Sequence, residues 1–126
     1  MQVIKRRKFK YYSSLITSIF TTIKRILLLS DTHGYVGPEI EKHGNNVDEI
    51  WHAGDWGDYN VCEEIKSINT TRGVYGNIDG QAVRKEYKKD LKFSVEGITV
   101  LMTHIGGYPP RYNKRTKPLI ENDKPD

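Results

Sequence analysis

The chain of 126 residues is 37% hydrophobic and 29% charged, with 11 glycines and 5 prolines, a globular composition sized for one domain. No apolar run approaches the ~20 residues of a membrane span, and the one cysteine, Cys62, excludes an internal disulfide framework and a cysteine-built zinc cage. The net charge of +4 is unevenly placed: seven basic and no acidic residues precede position 26, leaving thirteen basic against sixteen acidic residues after it, so a polyanion-binding body is disfavoured.

Residues 1–23 differ in kind from the rest. A basic run, Lys5 to Lys10, leads into a Ser/Thr-rich stretch in which Leu15, Ile16, Ile19, Phe20 and Ile23 fall on one helical face. This segment reads as a basic amphipathic extension outside the fold. Any nucleic-acid or membrane signal is confined to residues 1–25. The domain is expected over 24–126, and the lone cysteine suits a reducing, cytoplasmic setting.

The apolar run Ile26 to Leu29 predicts a strand buried on both faces. Ser30 to Gly37 is a loop. Pro38 opens a short helix that must fail by Gly44-Asn45-Asn46. Glu49 to Ala53 predicts a second strand and Gly54 to Asp58 a loop. A helix capped by Asp58 or Asn60 follows, with Val61, Ile65 and Ile68 as its stripe. Thr71 to Tyr75 is a third strand, and 81–88 a short polar helix. Leu91, Phe93 and Val95 then alternate, Glu96-Gly97 turns, and Ile98 to Thr103 completes a hairpin. From Ile105 to Asp126 no periodicity is visible, and the prolines at 109, 110, 118 and 125 describe an irregular loop. Alternating strands and helices followed by a hairpin make an α/β domain.

Ligand-type residues collect at the strand ends. Asp31 and His33 follow the first strand, Asp55 the second, Asn77 the third, and His104 the second strand of the hairpin. Open α/β sheets place their sites at this edge. Taken singly, each is an ordinary turn, cap or partly buried histidine; four strand ends in order make a metal site. Carboxylate, imidazole and amide oxygen suit a divalent cation such as Mn²⁺, Mg²⁺, Fe²⁺, Ni²⁺ or Zn²⁺. Asp31 and His33 can share one ion, Asp55 can bridge two through its two oxygens, and Asn77 and His104 can complete the second. Two cations about 3.5–4 Å apart support displacement at phosphorus by a bridging hydroxide, with no side-chain nucleophile. His43 and His52 read as structural, and Asp58 as a cap.

The ordered set Asp-x-His, Gly-Asp, Gly-Asn and a later strand-end histidine, with the opening Lys24-Arg25-Ile26-Leu27-Leu28-Leu29-Ser30-Asp31-Thr32-His33-Gly34, resembles the calcineurin-like metallophosphoesterase superfamily, and within it the small YfcE-type phosphodiesterases. The resemblance covers residues 24–126. It implies a four-layer α/β/β/α sandwich and a dinuclear centre: Asp31 and His33 on the first metal, Asp55 bridging, Asn77 and His104 on the second. It also implies Mn²⁺ as the favoured metal, a phosphate-ester substrate and a homo-oligomer. Two departures stand out. Ile78 occupies the place where many superfamily members carry a histidine that protonates the leaving group, so no general acid is assigned. The family's later Gly-His-x-His, one ligand for each metal, has no counterpart after His104, which implies a domain missing its C-terminal part. The expected function is hydrolysis of a phosphate ester, with a non-catalytic remnant or protein-binding scaffold of the same fold as the alternative.

Overall fold

The computed structural model describes residues 23–126 and the backbone of residues 2–4. Its main sheet contains β1 (Gln2–Ile4), β2 (Ile26–Leu29), β3 (Glu49–His52) and β4 (Thr71–Gly73), in that spatial order. β2, β3 and β4 are parallel, so their carboxyl ends share one edge, while β1 pairs antiparallel to β2 with Val3 opposite Leu27. Residues 2–4 thus enter the sheet, although the sequence places all of 1–23 outside the fold. The pairing was not legible because Gln2–Ile4 is too short to show a period. The amphipathic stretch from Leu15 to Phe20 lies outside the described residues.

The crossovers are α1 (Pro38–Gly44), opened by a proline whose missing amide costs nothing in a first turn, and α2 (Tyr59–Ile68), where Asp58 accepts a cap bond from the Asn60 amide at 2.8 Å. With α3 (Gln81–Glu86) they cover one face of the sheet. Leu27, Leu29 and Ile50 meet Val61, Cys62, Ile65 and Val83 there.

The other face receives the hairpin of β5 (Asp90–Val95) and β6 (Ile98–Thr103). Its register pairs Leu91 with Met102, Phe93 with Val100 and Val95 with Ile98, so one side of the hairpin is apolar. These side chains pack on Ile26, Trp51 and Val74, with Trp51 and Phe93 edge to face at 4.8 Å.

The segment after His104 corrects the sequence reading. It forms a two-pair ladder, β7 (Gly107–Tyr108) and β8 (Arg111–Tyr112), and then α4 (Thr116–Asp123). Pro118 concealed the helix, yet it is the third helical residue, where the amide has no intrahelical acceptor to lose. α4 lies against β6, and Asp123 reaches Lys92 on the hairpin's outer side at 2.9 Å. The layers therefore run helices, sheet, hairpin, helix, the α/β/β/α order expected. Among the described residues, no helix is long and apolar enough to cross a membrane.

Beneath this interface sits a buried carboxylate. Glu49 is 4% exposed and accepts from Trp51 Nε1 at 2.8 Å, Arg72 Nε at 2.8 Å and Lys24 Nζ. Burial pushes its carboxyl up, but the donors of Arg72, Lys24 and Trp51 outweigh burial and bring it from 4.5 down to about 2. A lowered folded pKa stabilises fully above the unfolded value and is lost as pH falls toward the folded one, and this difference corresponds to on the order of 3 kcal/mol. Glu49→Gln is therefore expected to unfold at lower urea than the parent at pH 7, by about 2–3 kcal/mol. The gap should close as pH falls from about 5 toward 2; a gap that persists there would contradict the assignment.

Candidate metal centre

Past the strand ends the ladder continues as paired loops. The amides of Asp31, His33 and Gly34 donate to the carbonyls of Gly54, Asp55 and Trp56 at 3.0, 3.2 and 2.7 Å. Within this pairing Asp31, His33 and Asp55 adopt left-handed backbone, with φ of 57°, 49° and 58°. Such conformations cost non-glycine residues about 1 kcal/mol or more each and persist only where the surroundings impose them. Here they turn three candidate ligands toward one point. Two glycines permit the close approach of the neighbouring loops: a Cβ on Gly54, at φ +101°, would lie 2.7 Å from His104 Cβ, and one on Gly76 would run into the Asp55 carboxylate.

The ligand atoms of Asp31, His33 and Asp55 all lie within 4.8 Å of one another. His33 Nε2 is 3.6 Å from Asp31 Oδ1 and 3.8 Å from Asp55 Oδ2, and His104 Nε2 is 3.4 Å from that same Asp55 oxygen. These separations are long for N–H···O bonds. They suit donors that each sit about 2.0–2.2 Å from a shared cation. His104 Nδ1 lies 2.9 Å from the Ala53 carbonyl, which can only accept, so the neutral imidazole carries its proton there and turns the Nε2 lone pair on Asp55. The donor set thus fits divalent cations.

Asp55 is buried, its side chain 5% exposed, and its Oδ1 accepts the Ile78 amide at 3.2 Å. The oxygen facing both histidines is therefore Oδ2 alone, where the sequence suggested one oxygen for each ion. A hydrogen bond from Ser30 holds the Asp31 carboxyl below its usual range; burial opposes this, and the neighbouring His104 and His33 add to the lowering. A cleft of about 510 Å³ opens beside Asp31, lined by Ser30, Thr32, Tyr35 and Ile40 among others.

Of the five residues predicted for the site, four side chains are brought together: Asp31, His33, Asp55 and His104. Asn77 is exposed on the loop after β4, and that loop is joined to Asp55 through the Ile78 amide. His52, read as structural, is wholly buried and stacks on Trp56 at 3.7 Å. Burial brings its pKa from 6.5 down to about 3, so it is neutral. The Gly54 amide donates to its Nδ1 at 3.2 Å, leaving Nε2–H to donate to Thr32 Oγ1 at 3.0 Å, and that hydroxyl donates to the Trp56 carbonyl at 3.2 Å. Thr32 stands between the first two ligands, so this chain of bonds fixes their loop to the core. Sequence reasoning missed Trp56; an aromatic residue inside a five-residue glycine-rich loop was the available signal.

Residues 25–125 match the calcineurin-like phosphoesterase superfamily domain. The chain belongs to that superfamily. No curated protein matches the sequence. Among solved structures, the superfamily member is similar to a single mutant of Vps29 from Entamoeba histolytica, at 10% identity and a TM-score of 0.58, over 77% of this chain and 57% of that one. It is also similar to Vps29 of Chaetomium thermophilum, at 15% identity and a TM-score of 0.57, over 79% of this chain and 55% of that one. At these identities the likeness is one of fold. The alignments span little more than half of each neighbour.

Proposed function

We propose that this calcineurin-like domain is a metal-dependent phosphodiesterase of the YfcE type. The observation that carries the reading is Asp55 Oδ2 standing between the Nε2 atoms of His33 and His104, with Asp31 beside His33. Asp31 and His33 would hold one divalent cation, Asn77 and His104 a second, and Asp55 both; the mix of carboxylate and imidazole suits several divalent cations, and the YfcE-type resemblance makes Mn²⁺ the first choice among them. Bound, the ions supply Lewis acidity toward water and the phosphoryl oxygens. The chain supplies the rest. His104 keeps its ring proton on the Ala53 carbonyl, the left-handed loops hold the carboxylates in place before substrate arrives, and the cleft beside Asp31 gives room for an ester group. Ile78 has no proton to offer a leaving group, a contribution worth about 10²–10⁴-fold elsewhere. Aryl esters, which leave without protonation, are therefore the favoured substrates.

Hydrolysis of bis-(p-nitrophenyl) phosphate tests this. Turnover should require added Mn²⁺, stop with chelator and return when Mn²⁺ is restored. Turnover indifferent to chelator would remove the reading.

A second reading, a protein-binding scaffold, is favoured by the apolar residues beside the site: Tyr35, Ile78 and Ile105 are 67%, 45% and 61% exposed. Mn²⁺ binding without hydrolysis of any phosphoester would select it.

A further inference from the structure

We propose that Asp79 is the positioning residue of the metal centre: its carboxylate sets the backbone of Asp55, the ligand shared by both ions, and thereby the metal affinity of the site. The inference rests on the metal-centre reading above and concerns a residue outside the ligand set. Asp79 is 3% exposed, on the loop after β4. A carboxylate only accepts, and a buried one is tolerated where donors converge on it. Here all three donors are backbone amides of the site loops. Oδ2 accepts from Asp55 at 3.0 Å and from Gly76 at 2.7 Å, and Oδ1 accepts from Gly57 at 2.9 Å.

The pattern is more than a satisfied charge. The Asp55 and Gly57 amides flank Trp56, so one carboxylate grips the β3 loop on both sides of its buried anchor. The grip is returned, because the Ile78 amide donates to Asp55 Oδ1. Asp55 and the loop 76–79 thus clasp each other at two points. The clasp falls on a residue whose φ of 58° needs external support. Arg84 of α3 secures the far side, with Nε on the Asp79 carbonyl at 2.6 Å and Nη2 on the Asn77 carbonyl at 3.1 Å. The loop carrying Asn77 is consequently held from both directions.

Asp79→Asn tests this with little change of shape. The amide oxygen can keep the two bonds of Oδ2, while its NH₂ group meets the Gly57 N–H donor to donor. Val83→Ala, at a 2% exposed core position on α3, serves as a control for general loss of stability. Mn²⁺ affinity by titration calorimetry should fall about 10–100-fold in Asp79→Asn, the usual cost of losing a residue that orients a ligand, and stay within about two-fold in Val83→Ala. In the metal-free protein, amide exchange at Asp55, Gly57 and Gly76 should accelerate at least ~10-fold in Asp79→Asn and not in the control. Unchanged Mn²⁺ affinity, or unchanged exchange at these amides, overturns the proposal. A parent chain that takes up no Mn²⁺ would instead remove the metal-centre reading, and the exchange rates, measured without metal, would still support or overturn the clasp.

Discussion

Asp55→Asn is expected to weaken Mn²⁺ binding by more than ~100-fold, and phosphodiester hydrolysis with it, while leaving the metal-free fold at least as stable as the parent. The first half follows from position. Losing a group that merely orients a ligand costs about 10–100-fold, and Asp55 Oδ2 faces both His33 and His104, so its loss falls on both ions. The second half follows from the metal-free state. There Asp55 is a buried carboxylate, and the His104 Nε2 that faces it at 3.4 Å presents a lone pair rather than a proton. An asparagine is better suited to that empty state. Its oxygen keeps the Ile78 amide, and its NH₂ can donate to the His104 Nε2 lone pair. Binding to the native state raises the melting temperature with the logarithm of ligand excess over Kd, so one experiment reads both halves. With chelator, the variant should melt at or above the parent. With excess Mn²⁺, only the parent should shift upward. A variant that still gains stability from Mn²⁺ would deny Asp55 its place between the ions.

Why the ligands could be read from the sequence, and their supports could not, is a matter of range. Asp31, His33, Asp55 and His104 each follow a strand whose apolar run or alternation is local and visible. Parallel pairing then brings the ends of β2 and β3 together with Asp31, His33 and Asp55, and the packing of the hairpin on the sheet adds His104. Asp79 was visible as the last residue of Gly76-Asn77-Ile78-Asp79, but its role depends on amides at 55 and 57, more than twenty positions away. Trp56 likewise sits in a segment that reads as loop, and only the stacking of His52 and Tyr87 makes it core. The C-terminal segment failed for the opposite reason. The local signals at Pro109, Pro110 and Pro118 were real, yet a turn and a first helical turn both accept proline. What orders that segment is distant. Arg115 binds both oxygens of Asp90 at 2.8 and 2.7 Å, and the buried Thr116 hydroxyl donates to the Gly106 carbonyl at 3.0 Å. Helix, strand and turn propensities carry no information about such pairs.

Trp56→Ala should be the most destabilising single change at the site, at about 3–5 kcal/mol, the range for buried Trp or Phe truncations. The indole is wholly buried between His52, at 3.7 Å, and Tyr87, at 4.6 Å, and Nε1–H donates to the Val74 carbonyl at 2.8 Å. Truncation leaves a cavity between two rings that cannot close on each other without moving β3 or α3. It also strands the buried Val74 carbonyl, a further cost of about 1–3 kcal/mol if no water enters. Against a total stability of about 5–15 kcal/mol for a domain of this kind, the loss leaves a chain close to unfolding. Function is tied to the same side chain, because Trp56 is flanked by Asp55 and Gly57 and its carbonyl receives both Thr32 and Gly34. Trp56→Phe separates the two effects. It keeps much of the ring packing but gives up the Val74 bond and part of the buried indole, so it should cost about 1–3 kcal/mol and retain Mn²⁺ binding, while Trp56→Ala loses both packing and binding. Urea unfolding beside Mn²⁺ titration decides the point: if Trp56→Ala loses less than about 1 kcal/mol, the loop is held by its backbone bonds alone, and the indole is not the anchor that couples core to site.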